Sequence, residues 1–196
     1  MRLSALFLAV ASLLPLQVSA EGSVEAGKVK SYTCKGCHGI TGYNNVYPTY
    51  KVPRIGGQSA VYISTALAAY QSEMRAHPTM QAQAQSLSDQ DIADISAWLA
   101  SFDLDAPTGG PAQEPPAESQ VCQSCHGPQG LGTDPAYPVL AGQYEGYLVK
   151  ALQDYRSGAR RNGIMGGFAG QLSDEDIETL ADWYSRRQGL KDLSGN

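Results

Sequence analysis

The sequence predicts an all-α protein built from two small domains in tandem. Three observations carry that prediction. First, the chain repeats itself at a fixed interval. Tyr70-Gln71-Ser72 returns as Tyr155-Arg156-Ser157, and Leu87-Ser88-Asp89-Gln90-Asp91-Ile92 returns as Leu172-Ser173-Asp174-Glu175-Asp176-Ile177, each 85 residues further on. Second, apolar residues within each copy recur at helical spacing, as Ile63, Ala66, Leu67 and Tyr70 and again as Leu148, Ala151, Leu152 and Tyr155. Third, the copies are separated by Asp103 to Ala117, whose Pro107, Gly109, Gly110, Pro111, Pro115 and Pro116 resist both helix and sheet.

The N-terminus has the form of a signal peptide. Arg2 supplies a positive start, Leu3 to Leu16 an apolar run, and Val18-Ser19-Ala20 a small-residue cleavage pattern. Residues 1–20 are therefore set aside from the fold, and about 176 of the 196 residues remain. The expected domains are 21–102 and 118–190, with a linker at 103–117 and a frayed tail at 191–196. The remaining chain has 13 basic and 19 acidic side chains, a formal charge of −6. That balance, with no basic stripe, argues against a nucleic-acid partner. No later segment is apolar enough to span a bilayer, so an exported protein is expected.

In the first repeat Ser23 can cap a helix from Val24 to about Tyr32 that leads into Cys34-Lys35-Gly36-Cys37-His38. In the second, Glu118 to Gln123 leads into Cys122-Gln123-Ser124-Cys125-His126. The two motifs use all four cysteines and two of the three histidines. C-x-x-C-H is the attachment pattern of c-type haem: two thiols add to the two vinyl groups, and the adjacent histidine coordinates iron. Disulfides, zinc sites and thioredoxin-like redox pairs compete for the same cysteines. Disulfides leave the histidines unexplained, zinc does not require a histidine after each second cysteine, and no convincing strand flanks either motif as a redox pair requires. Small domains of this size also gain buried surface from a bound haem.

The motifs are 88 residues apart and the rest of the repeat 85, so the first copy carries three extra residues between Cys37 and Gly57. The loops that follow contain Pro53-Arg54-Ile55-Gly56-Gly57-Gln58 and Pro138-Val139-Leu140-Ala141-Gly142-Gln143. A ligating histidine needs its other ring N–H held by an acceptor, and the carbonyls of Pro53 and Pro138 are suited to that role. Those prolines serve equally well simply to stiffen a turn.

A second helix is expected from about Ser59 to Met74 and from Tyr144 to Ser157. The loop after it carries Met80 in one copy and Met165 in the other. Methionine sulfur is the usual partner of histidine at electron-transfer haems. His77 and Met74 compete in the first copy but align with Asn162 and Ala159. Arg75 aligns with Arg160, and each suits either a haem propionate or an ordinary surface position. The third helix starts at Ser88 and Ser173, with Asp91 and Asp176 completing capping boxes, and carries Trp98 and Trp183 at matching positions.

With two C-x-x-C-H motifs, two Pro-x-x-x-Gly-Gln segments and two methionine loops, the chain resembles the dihaem cytochrome c4 family over nearly its whole mature length. Tyr147 to Arg160 and Leu172 to Ile177 are particularly similar to it. The resemblance implies two class I cytochrome c domains related by a pseudo-twofold axis, with one covalent haem c each. It implies Cys34, Cys37, Cys122 and Cys125 as thioether residues and His38, Met80, His126 and Met165 as axial iron ligands. It also implies a periplasmic electron carrier, not an enzyme, that serves redox protein partners and often a terminal oxidase, either free or loosely associated with the membrane. The alternative is the cytochrome subunit of a dehydrogenase, such as flavocytochrome sulfide dehydrogenase or a thiosulfate-oxidising pair. A dihaem peroxidase would need an exchangeable iron site. The first copy departs more from the family pattern, at Ser64 to Ala69 and in Gln81-Ala82-Gln83-Ala84-Gln85 after Met80.

Overall fold

The repeat folds into two helical layers of matching design. The computed structural model describes residues 21–46, 49–104 and 114–194. The expected signal peptide lies outside the described residues, as does most of the expected linker. Among the described residues there is no named strand, and no helix is long and apolar enough to cross a membrane.

In the first repeat, Ser23 accepts the Ala26 N–H at 3.2 Å and starts α1, Val24–Lys30. The chain breaks at Ser31, which is fully buried, and resumes as α2, Tyr32–His38. Helix α3 spans Ala60–Gln71, α4 Pro78–Gln85 and α5 Asp89–Ala100. The second repeat opens with a single 3-10 turn, Ala117–Ser119, and a short α6, Gln123–His126. Helix α7 (Glu145–Ser157), α8 (Gly163–Ala169) and α9 (Asp174–Ser185) then match α3, α4 and α5.

Three features differ from the sequence reading. Among the described residues the second repeat shows no counterpart to α1: only five residues separate Pro116 from Cys122, and Pro115 and Pro116 disfavour a longer helix before the motif. The two methionine segments are not loops. His77 caps α4 with Pro78 at its first position, and Asn162 caps α8. The third difference is the tail, described below.

Helices α5 and α9 both begin with complete capping boxes, in which Ser88 pairs with Asp91 and Ser173 with Asp176. Each buries one face against the preceding long helix. The first core holds Ile63, Ile95, Trp98, Leu99 and Phe102, and the second Leu148, Leu180, Ala181, Trp183 and Tyr184. Trp98 meets Phe102 edge-on at 5.0 Å. Helix α1 crosses α5 at close range because Gly27 lets the backbones touch. A Cβ at Gly27 would lie 2.0 Å from the Asp94 carbonyl oxygen and 2.7 Å from the Trp98 Cβ. Gly27→Ala is therefore expected to cost about 1–3 kcal/mol of first-domain stability. An unchanged thermal midpoint would refute that packing. Lys30 pins the same crossing by pairing with Asp91 at 2.7 Å and Asp94 at 2.5 Å.

The two repeats are joined by reciprocal hydrogen bonds, as a pseudo-twofold axis requires. Gln58 Nε2 donates to the Val139 carbonyl at 3.0 Å, and the Val139 N–H donates back to Gln58 Oε1 at 2.9 Å. Gln143 makes the same pair with Arg54, both bonds at 2.9 Å. Ala76 N–H donates to Ala159 at 2.9 Å while Arg161 N–H donates to Met74 at 2.7 Å. The axis passes between Arg75 and Arg160, which form an isolated antiparallel bridge. Val139, Ala141 and Leu190, with Leu104 and Leu131 beside them, form a small apolar seam at the same junction.

The described part of the tail, residues 191–194, is docked rather than frayed. Leu193 is 2% exposed and belongs to the first domain's core, although it follows the second domain in sequence. Lys191 and Gly56 exchange backbone bonds of 2.9 and 3.0 Å, and the Leu193 N–H donates to the His38 carbonyl at 3.0 Å. Asp192 pairs with Arg54 at 3.4 Å and accepts the Tyr144 hydroxyl at 2.9 Å. Burial of one leucine and pairing of the backbone outweigh the chain entropy that would fray a free terminus.

Candidate functional site: the paired cysteine–histidine motifs

Each C-x-x-C-H motif ends a short helix whose last residue is the histidine. In the first, α2 stops at Gly39, where a Cβ would meet the Lys35 carbonyl at 2.6 Å. In the second, α6 stops at Gly127, which has a φ of +75° that favours glycine. The four cysteines form no disulfide with one another. Cys34 packs against the Ile63–Trp98 core and Cys122 against the Leu148–Trp183 core. Burial pushes both of those thiols above the usual cysteine range. Among the described residues, no three His, Cys, Asp or Glu side chains converge as a metal-ion site of their own.

The histidines are held identically. His38 Nδ1 lies 2.7 Å from the Pro53 carbonyl and His126 Nδ1 lies 3.1 Å from the Pro138 carbonyl. A carbonyl only accepts, so each Nδ1 carries the proton and each Nε2 keeps its lone pair. Desolvation by burial holds both imidazoles below the ordinary histidine pKa, which favours this neutral form. Of the two readings of Pro53 and Pro138, the structure therefore supports the acceptor role. Tyr137 packs across the His126 ring at 6.5 Å.

The methionines sit at the third position of α4 and α8, and both are half-buried. Helix α4 packs on α3, and α3 also supplies Ile63 and Leu67 to the core that holds Cys34. Helix α8 packs on α7, which supplies Leu148 and Val149 beside Cys122. Motif and methionine thus lie against the same long helix in each repeat. His77 is occupied as the α4 cap, and its Nδ1 accepts the Met80 N–H at 3.2 Å. Burial, reinforced by the nearby Arg75 charge, keeps His77 below the usual histidine range. Met74 lies beyond the end of α3 and is 40% exposed.

Several residues of this region carry no local sequence signal. Arg75 and Arg160 are not surface arginines but are 9% and 8% exposed. Each guanidinium stacks on a tyrosine of its own domain, Arg75 over Tyr70 at 4.6 Å and Arg160 over Tyr155 at 4.4 Å. Each also donates to a tyrosine hydroxyl of the other domain, Arg75 to Tyr147 and Arg160 to Tyr62. Among the described residues neither has a carboxylate in ion-pair range. Both guanidiniums face one cavity, whose single carboxylate, Asp154, pairs with Lys150, so the two buried cations rely on tyrosine rings and hydroxyls and would be favoured by a further negative group. Tyr184 beside Cys122 is a further asymmetry, because its hydroxyl is buried without a partner and its counterpart in the first repeat is Leu99.

These features fit a haem in each repeat. Two thiols precede a histidine whose Nε2 is free, a thioether follows on an adjoining helix, and two buried guanidiniums without an ion-pair partner among the described residues suit carboxylates. Known proteins agree. The family model described as Cytochrome c matches twice, over residues 24–103 and 117–185. The chain is 33% identical to cytochrome c4 of Stutzerimonas stutzeri, over 87% of this chain and 90% of that protein. It is 29% identical to a thiosulfate dehydrogenase electron acceptor of Stutzerimonas stutzeri, over 78% of this chain and 77% of that one. The crystal structure of reduced recombinant cytochrome c4 from Pseudomonas stutzeri superposes with a TM-score of 0.69 at 32% identity, covering 85% of this chain and 99% of that one.

Proposed function

We infer the role of this chain from its membership of the dihaem cytochrome c4 family: it is an electron-transfer cytochrome with two covalently bound haem c groups. Each haem, when bound, supplies a one-electron ferric–ferrous couple. Cys34 and Cys37 hold the first and Cys122 and Cys125 the second. His38 and His126 would ligate the iron through Nε2, and Met80 and Met165 would supply the second protein ligand of each haem. Arg75 and Arg160 are the partners of haem propionates. The domains are 21–102 and 118–190, joined by 103–117 and followed by a tail at 191–196, of which Lys191 and Leu193 return to the first. The observation that carries the reading is the Nδ1–proline carbonyl bond made twice, at 2.7 and 3.1 Å, because it leaves Nε2 of both imidazoles with a lone pair available to a metal.

A site closed by histidine and methionine has no position for a substrate, so the chain carries electrons rather than transforming a molecule. It does so in the periplasm, free or loosely held at the membrane, and passes electrons from a redox protein donor toward a terminal oxidase. The unequal surroundings of the two sites, Tyr184 against Leu99 and Asn162 against His77, support two unequal potentials. A redox titration of the holoprotein tests this. Two resolved one-electron waves are expected, and a single wave, or two that coincide, would count against it.

A second reading is supported by the relative named as a thiosulfate dehydrogenase electron acceptor. In that case the chain accepts electrons from such an enzyme. Mixing the oxidised protein with a thiosulfate dehydrogenase and thiosulfate, and separately the reduced protein with a membrane oxidase, discriminates the two. Faster turnover in the first arm favours the second reading.

Arg75→Gln is expected to lower the potential of the first haem by on the order of tens of millivolts. Removing a nearby positive charge favours the more positive ferric state. A potential that stays put would remove Arg75 from the haem's surroundings.

A further inference from the structure

Each methionine has its own backbone N–H held by the side chain three residues before it. His77 Nδ1 accepts from Met80 at 3.2 Å. Asn162 Oδ1 accepts from Ile164 at 3.1 Å and from Met165 at 3.0 Å. The two caps are aligned by the repeat and use different chemistry for one task. A helix leaves its first four N–H groups without internal partners, and a cap that takes the third fixes the turn to which that residue belongs. In both helices the third residue is the methionine. The direction in which the thioether leaves the backbone is therefore set by the cap.

The far end of α4 is secured separately. Gln71 Nε2 donates to the Ala84 carbonyl at 2.9 Å and to the Leu87 carbonyl at 3.0 Å. Ala84 is fully buried. Loss of the His77 bond thus frees the methionine end of α4 while the helix itself stays docked.

We propose that His77 and Asn162 are positioning residues that hold Met80 and Met165 in the turn from which each thioether ligates its haem, and that the one bond from His77 holds the first methionine less firmly than the two bonds from Asn162 hold the second. The proposal rests on the axial-ligand reading given above. It turns the one histidine outside the motifs from a rival ligand into the support of the ligand itself.

The test is a titration of the ferric full-length holoprotein with imidazole, which displaces a weakly held methionine, followed by the far-red methionine–iron band. In the wild type the first domain is expected to lose its band at lower imidazole than the second. His77→Ala lowers the first midpoint by on the order of fivefold. It also lowers that haem's potential and leaves the second midpoint unchanged. His77→Asn raises the first midpoint above that of the wild type. Asn162→Ala lowers only the second. If the two alanine variants titrate like the wild type, or if His77→Asn behaves like His77→Ala, the proposal is overturned. Met80→Ala and Met165→Ala keep the two layers apart. If they leave the far-red band whole, the ligand reading itself is wrong. If each removes its share while His77→Ala and Asn162→Ala change nothing, only the positioning role falls.

Discussion

Met80→Ala is expected to lower the reduction potential of the first haem by on the order of 0.1 V or more, within the ~0.8 V range that axial ligands control. Thioether sulfur is a soft, neutral donor that favours ferrous iron, and water or hydroxide in its place favours ferric iron. The effect is separable from folding. Met80 is half-buried near the start of α4, and alanine is the better helix former there. The His77 cap uses the backbone N–H of residue 80, which alanine retains. Met165→Ala is expected to act in the same way on the second haem alone, because Asn162 likewise bonds the backbone. Redox titration of the two variants checks both statements. A variant whose two potentials both match the wild type would remove that methionine from the ligand set.

Leu193→Ala is expected to destabilise the first domain by about 2–5 kcal/mol, the range for a buried leucine cut to alanine. For a domain of this size that corresponds to a fall in thermal midpoint of ~10 °C or more. The site is severe because Leu193 is 2% exposed among Ile63, Ile95, Trp98, Leu99 and Phe102, most of which are carried by α3 and α5. The effect should fall on the first domain rather than on the second, which immediately precedes Leu193 in sequence. It also reaches the haem site, since the Leu193 N–H bonds the carbonyl of His38. Unfolding followed at each haem separately should show the first transition moving and the second staying near its wild-type position. Equal movement of both transitions, or none, would contradict the cross-domain docking.

The long helices α3, α5, α7 and α9 were legible because their signals are local: an apolar stripe at helical spacing and a serine cap with aspartate three residues on. The histidine support at Pro53 and Pro138 was legible as an alignment, and geometry was needed to separate an acceptor from a stiff turn. What sequence could not supply was anything produced by one domain meeting the other. Arg75 and Arg160 read as possible surface arginines because charge alone says nothing of burial at an axis. Leu193 read as frayed because the core that receives it lies about a hundred residues away, in Trp98 and its neighbours. Helices α4 and α8 were missed for a different reason. They are one or two turns long, too short for a periodic pattern, and their caps are a histidine that competes as a ligand and an asparagine that reads as loop. The usable signal was His77-Pro78, a cap followed by proline at the first helical position.

The central claim is that the chain holds two haems, each closed by one histidine and one methionine. The far-red methionine–iron band of the fully ferric holoprotein, measured per haem, tests it most directly. The expected result is a full band for each of the two haems in the wild type, half of the total in Met80→Ala and in Met165→Ala, and none in the double variant. A wild-type band equivalent to a single haem, or a double variant that keeps it, would contradict the claim.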